Sequence, residues 1–252
     1  MSEAPATTGE PAPLATVLAG RVVLVSGAAG GLGSAAAMAC AKAGATVVLL
    51  GRKLPKLNRV YDAIAQQGPE PLLYPLDLEG ATPDDHAELA ARLQSELGRL
   101  DGLLHCAAEF RGLTPLEHTD PAAFARALHV NLTAPWWLTQ ACLPLLKQAP
   151  DGAVVFTLDD ARRVGQAFWG GYGVAQHGLA ALVAMLQREL ANAPVRVAGL
   201  RPGPMRTPLR ARAYVDDADR DARDPGLYAE ACVTLLSAAG AVHRGNVWEP
   251  RP

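Results

Sequence analysis

The chain has 252 residues, half of them hydrophobic and only 5% aromatic, with a formal net charge of −2 at pH 7. That length suits one large domain with an Ala-, Val- and Leu-rich core. The charge balance gives no electrostatic ground for a nucleic-acid or anionic-membrane partner, and no apolar run approaches the roughly 20 residues of a membrane-spanning helix.

Residues 1–19 carry Pro5, Pro11 and Pro13 and lack the basic, then apolar, pattern of a signal peptide. They are expected to form a flexible tail ahead of a single domain over 20–252. The first strand is Arg21–Ser26, where continuous apolarity fits a parallel strand buried on both faces. A glycine cluster follows, then an Ala-rich helix to about Lys42, stopped by Gly44. The second strand is Ala45–Leu50. The alternation continues with a helix over about Leu54–Gln67, a strand over Pro71–Leu76, a helix over Asp84–Leu97 and a strand over Gly102–Cys106. A long helix over Pro121–Lys147, a strand over Ala153–Thr157, a helix over Gly171–Asn192 and a strand over Val195–Leu200 come next. The Arg- and Asp-rich stretch 204–225 reads as a solvated segment, expected together with Glu109–Thr114 to border a pocket, with Phe168, Trp169 and Met205 as nearby apolar candidates. A last helix near Leu227–Ser237 and a short strand near Asn246–Trp248 close the chain. This order predicts an α/β fold: a doubly wound, Rossmann-type parallel sheet of about seven strands with helices on both faces.

The four cysteines, at 40, 106, 142 and 232, show no C-x-x-C spacing. Reduced thiols in a cytoplasmic protein are expected, with no disulfide framework and no metal site. Cys106 reads as a small buried hydrophobe at a strand end.

Gly27, Gly31 and Gly33, spaced G-x-x-x-G-x-G between a strand and a helix, are candidates to cradle a phosphate. Glycine lets the backbone approach a pyrophosphate, and the helix N-terminus offers free N–H groups and a positive dipole end.

Ser26-Gly27-x-x-x-Gly31-Leu32-Gly33 resembles the turn of the short-chain dehydrogenase/reductase family. Four further marks resemble that family in order. Asp77-Leu78 looks like the pair that contacts adenine. Asn131 looks like the Asn at the family's helix kink. Tyr172 looks like the catalytic Tyr. Pro202-Gly203 with Thr207 looks like the segment that lines the nicotinamide. Ala107, in Cys106-Ala107-Ala108, stands where the family has N-A-G, so an anchoring Asn is lost and a methyl is added. The resemblance implies a nicotinamide cofactor, a small carbonyl or alcohol substrate, and a homodimer or homotetramer.

Where NAD-preferring relatives often carry Asp after the second strand, this chain has Gly51, followed by Arg52 and Lys53. A guanidinium can grip a 2′-phosphate in bidentate fashion, so NADP(H) is favoured over NAD(H).

The resemblance also implies a catalytic Asn, Ser, Tyr and Lys. Counting from Tyr172, the Lys position holds Gln176 and the Ser position holds Asp159. An unassisted Tyr is phenolate in only about one molecule per thousand at pH 7, and an ionised Asp159 would oppose ionisation further. Arg162 or Arg163 could supply the missing charge, whereas His177 lies on the wrong side of the helix. Two readings stay open. One is an active NADP(H)-dependent oxidoreductase. The other is a catalytically impaired pseudoenzyme that binds nucleotide, or a protein partner, without turnover.

Overall fold

The computed structural model describes residues 16–214 and 221–251. Seven strands form one sheet: β1 (Val22–Ser26), β2 (Thr46–Gly51), β3 (Leu72–Pro75), β4 (Gly102–His105), β5 (Gly152–Thr157), β6 (Val195–Leu200) and β7 (Val247–Trp248). Their order is β3-β2-β1-β4-β5-β6-β7. Every pairing is parallel. β1, β4 and β6 are buried along their whole length, as expected for parallel strands covered on both faces.

The helices are α1 (Gly31–Lys42), α2 (Leu54–Ala65), α3 (Pro83–Leu97), α4 (Pro121–Leu128), α5 (Ala134–Leu146), α6 (Ala161–Val164), α7 (Gly170–Glu189) and α8 (Ala229–Leu236). On one face Ala36 and Cys40 of α1, Leu57 and Ile64 of α2, and Cys232 and Leu236 of α8 share a core with Val23 and Val47. On the other, Leu89 of α3, Leu138 and Cys142 of α5, and Leu179 and Val183 of α7 pack on Leu24, Val48 and Val154. This is the doubly wound sheet that the β–α alternation predicts.

Local chemistry sets several boundaries. α3 begins in a capping box between Thr82 and Asp85 and ends at Gly98, whose φ of +68° suits glycine. The predicted helix 121–147 is continuous in direction but broken in register by a π-helical turn, His129–Thr133. The last helix starts at Ala229, after a 3-10 turn over Pro225–Tyr228. α6 was not foreseen: Asp160 caps it by accepting from the N–H of Arg162, and four residues are too few to show a period.

The expected tail 1–19 is too long at its C-terminal end. Leu18 is fully buried in the core with α1 and α2, and its N–H donates to the carbonyl of Ala43 at 2.9 Å. The apolar run Val17-Leu18-Ala19 is too short to give a periodic signal. Residues 1–15, which hold the three prolines, lie outside the described residues, as do Asp216, Asp217 and Asp219 of the acidic stretch.

Candidate active site in the cleft at the strand ends

The strand order reverses between β1 and β4, and ligands of such sheets bind in the crevice at that switch point. A cleft of about 490 Å³ opens there. Gly27, Gly31, Leu32 and Gly33 form its floor, and Arg52 with Lys53 and Lys56 lines the side beyond β2. Asp77 and Leu78 follow β3, Ala107 follows β4, and Pro202, Gly203 and Thr207 follow β6. Asp159, Tyr172 and Gln176 line the same cleft.

The turn after β1 is as tight as its glycines require. Gly27 has φ +67°, and a Cβ there would lie 2.6 Å from the backbone of Ala107. A Cβ on Gly33 would lie 2.2 Å from the carbonyl oxygen of Gly27. Only hydrogen fits at either place, so the turn keeps its backbone bare. No side chain caps α1. The N–H groups of Gly31, Leu32 and Gly33 therefore have no carbonyl four residues back and remain available to an anion.

Arg52, Lys53 and Lys56 are exposed. Three cations thus stand together about the end of β2, none of them in an ion pair among the described residues. Asp77 caps its own turn, accepting from the N–H of Glu79 at 3.2 Å.

Two predicted residues sit behind the cleft rather than on it. Ser26 is fully buried; its hydroxyl accepts from the N–H of Ala107 at 3.5 Å, tying the β1 turn to the β4 turn. Asn131 lies in the π-turn. Its amide donates to the carbonyls of Glu109 and Ala127 and accepts from the N–H of Glu109, each at 2.8 Å. It fixes the loop after β4 that walls the cleft. Of the three apolar candidates, Trp169 and Met205 line the cleft, whereas Phe168 is half-exposed and outside the lining. Trp169 packs with Phe110 and Tyr172 at ring-centroid distances of 5.0 and 5.9 Å.

The positions where the family resemblance expects catalytic residues form one network. The Tyr172 hydroxyl donates to Oδ2 of Asp159 at 3.0 Å. Oδ1 of Asp159 accepts from the N–H of Asp160 at 2.7 Å and pairs with the Arg163 guanidinium. Gln176 Oε1 accepts from the N–H of Asp159 at 2.9 Å. His177 turns away, its Nδ1 at 2.8 Å from the carbonyl of Gly173. Burial raises the Tyr172 pKa well above 10, and the Asp159 carboxylate raises it further, while Arg163 opposes both. The guanidinium thus reaches Tyr172 through Asp159 rather than standing where a Lys at 176 would.

The stretch 204–225, expected to border the pocket, supplies its outer wall among the described residues. Arg210, Arg212 and Tyr214 line the cleft, and Arg212 donates to the carbonyl of Phe110 at 2.6 Å. Burial pushes the Cys106 thiol up, in keeping with an inert side chain.

Fold, turn and cleft together define a nicotinamide-nucleotide-binding class of α/β protein. The family model for short chain dehydrogenases matches residues 21–218, and the chain belongs to that family. It is 36% identical over 214 residues to the uncharacterised oxidoreductase YciK of Escherichia coli K12, covering 84% of each chain. It superposes with a TM-score of 0.89 on a Pseudomonas syringae structure assigned to the short chain dehydrogenases, at 42% identity, covering 93% of this chain and 96% of the other. An Escherichia coli CFT073 protein of the same assignment, complexed with NADPH, gives 0.90 at 34% identity, covering 95% and all of that chain.

Proposed function

We propose that the protein is an NADP(H)-dependent oxidoreductase of a small carbonyl or alcohol compound. The observation that carries the reading is the pairing of a bare-backbone turn at the α1 N-terminus with the unpartnered cations of Arg52, Lys53 and Lys56. The residues fit the nucleotide: the Gly27–Gly33 turn and the first-turn N–H groups would hold the pyrophosphate, and Arg52 the 2′-phosphate. Asp77 and Leu78 would border the adenine, and Pro202, Gly203 and Thr207 the nicotinamide. Bound, the nicotinamide supplies hydride chemistry. The NADPH complex of the similar Escherichia coli protein supports the same choice of nucleotide.

The chain's own residues then handle the substrate. Phe110 and Trp169 supply an apolar wall, Tyr172 presents its hydroxyl oxygen, and Asp159 with Arg163 sets the ionisation of Tyr172. Asn131 positions the wall through Glu109. Gln176 holds the Asp159 backbone and can hydrogen-bond a ribose without adding charge.

The raised pKa of Tyr172 favours a second reading, nucleotide binding without turnover. An assay of NADPH with a panel of ketones, and of NADP⁺ with the matching secondary alcohols, separates the two. Turnover that Tyr172→Phe abolishes supports the oxidoreductase. Tight NADPH binding with no turnover across the panel supports the second reading.

We further propose a homodimer or homotetramer in the cytoplasm. Val174 and Met185 of α7 and Trp136 of α5 are large apolar side chains left open, and all four cysteines are free thiols. A solution mass of one chain at micromolar concentration would refute the assembly.

A further inference from the structure

Tyr172 has one hydroxyl proton, and that proton is committed to Asp159 Oδ2 at 3.0 Å. What remains on the Tyr172 oxygen is lone pairs, so toward the cleft it is a hydrogen-bond acceptor. A carbonyl oxygen needs a donor there; an alcohol O–H needs an acceptor. Asp159 is bound as an acceptor throughout, with Arg163 and the Asp160 N–H on Oδ1 and Tyr172 on Oδ2.

We propose that Asp159 is the terminal proton acceptor of this site, reached through the Tyr172 hydroxyl and held in place by Arg163, and that the resting site is set to receive a secondary alcohol. The inference rests on the oxidoreductase reading above. In the step, the alcohol O–H bond breaks and its proton joins the Tyr172 oxygen while the Tyr172 proton passes to Asp159 Oδ2. The carbinol C–H hydrogen leaves with its electron pair to the oxidised nicotinamide. The alcohol is oxidised by two electrons to a carbonyl, the nucleotide is reduced, and protonated Asp159 returns its proton to solvent. No free tyrosinate forms. Burial and the Asp159 charge both disfavour that species, so a relay that bypasses it removes the largest obstacle left by the absent Lys.

Arg163 is the positioning residue. It sits on α6, four residues after Asp159, and makes the ion pair that fixes the carboxylate. The other groups facing this carboxylate are Asp160 beside it, Tyr172 and Gln176 from α7, and Arg201 beyond β6, whose Nε donates to the Asp159 carbonyl at 3.2 Å. Arg210 and Tyr214, from the segment after β6, complete the charged surroundings.

The first test needs no substrate. Proton NMR of the NADP⁺-loaded protein should show a slowly exchanging phenolic resonance that Tyr172→Phe removes and Asp159→Asn moves upfield. Its absence, or no movement in Asp159→Asn, overturns the proposal. The second test uses any secondary alcohol that the protein oxidises with NADP⁺. With Asp159 as acceptor, log kcat/KM stays flat from pH 9 to pH 6; with tyrosinate as base it falls one unit per pH unit. Asp159→Asn should lower kcat on the order of a hundredfold, with NADP⁺ affinity unchanged, and Arg163→Lys should retain more activity than Arg163→Met. A slope of one, or full activity in Asp159→Asn, overturns the relay. Failure of NADP⁺ to bind would instead sink the oxidoreductase reading itself.

Discussion

The hydroxyl of Tyr172 donates to the carboxylate of Asp159 across 3.0 Å, so the two side chains form one hydrogen-bonded unit. Their coupling raises the energy of tyrosinate, because deprotonating Tyr172 would set a second negative charge against the first.

Replacing Asp159 by Ser and Gln176 by Lys should therefore lower the Tyr172 pKa. The pair removes the neighbouring carboxylate and adds a cation on the same helix face. Spectrophotometric titration of tyrosinate, with Tyr172→Phe as reference, should show one tyrosine ionising at a lower pH in the double variant than in the parent. Identical titrations would mean that burial alone controls Tyr172.

Gly33→Ala should damage the turn, not merely crowd it. The new methyl would meet the Gly27 carbonyl at 2.2 Å, and that carbonyl already accepts from Gly30 N–H at 2.8 Å. Forcing an atom into such a place costs about 1–3 kcal/mol, or a Tm lower by roughly 2–4 °C per kcal/mol at this chain length. NADPH affinity should fall with it. An unchanged Tm by calorimetry would contradict the geometry.

Much of the core was legible. Apolar runs rich in Val and Leu located β1, β2, β4, β5 and β6, because strands buried on both faces leave little room for polar residues, while β3 and β7 at the sheet edges followed from the β–α alternation. Gly27, Gly33, Arg52 and Asp77 were located by their places after β1, β2 and β3, since ligand chemistry in this fold sits at strand ends. Other features depend on contacts far apart in sequence. Arg163, named with Arg162 as a possible source of charge, sits in a four-residue helix that no period announces, and it reaches Tyr172 only through Asp159. Arg212 reaches Phe110 across about a hundred residues. Leu18 lies in the apolar run Val17-Leu18-Ala19, too short to show a period. The roles of Ser26 and Asn131 in tying turns together follow from backbone partners that spacing cannot reveal.

A buried histidine makes stability depend on pH. The Thr139 hydroxyl donates to the carbonyl of Pro135 at 2.8 Å, so it accepts from Nε2 of His105 at 2.9 Å. This leaves the Nδ1 of His105 bare. Burial, with His86 nearby, lowers the His105 pKa from 6.5 to about 3. Burial lowers that of His86 as well. At His105 the unfolded chain binds a proton below pH 6.5, and the folded chain does not until about pH 3. The His105 contribution to stability is thus full above pH 6.5 and falls as pH drops toward 3, by about 1.4 kcal/mol per pH unit. Urea unfolding at pH 7.5 and pH 5.0 should differ by about 2 kcal/mol from His105 alone. His105→Gln should flatten the dependence; an equally steep dependence in that variant would contradict it.

On the proposed function, the α1 N-terminus and Arg52 read NADP(H) in the cleft. Calorimetric titration of the parent protein and Arg52→Ala with NADPH and NADH tests this recognition. NADPH should bind with Kd on the order of micromolar, about −8 kcal/mol, and NADH at least roughly tenfold more weakly. Loss of a charge-assisted contact in Arg52→Ala should cost about 1.5–3 kcal/mol for NADPH and leave NADH unchanged. No binding of either nucleotide at millimolar concentration, or tighter binding of NADH than NADPH, would contradict it.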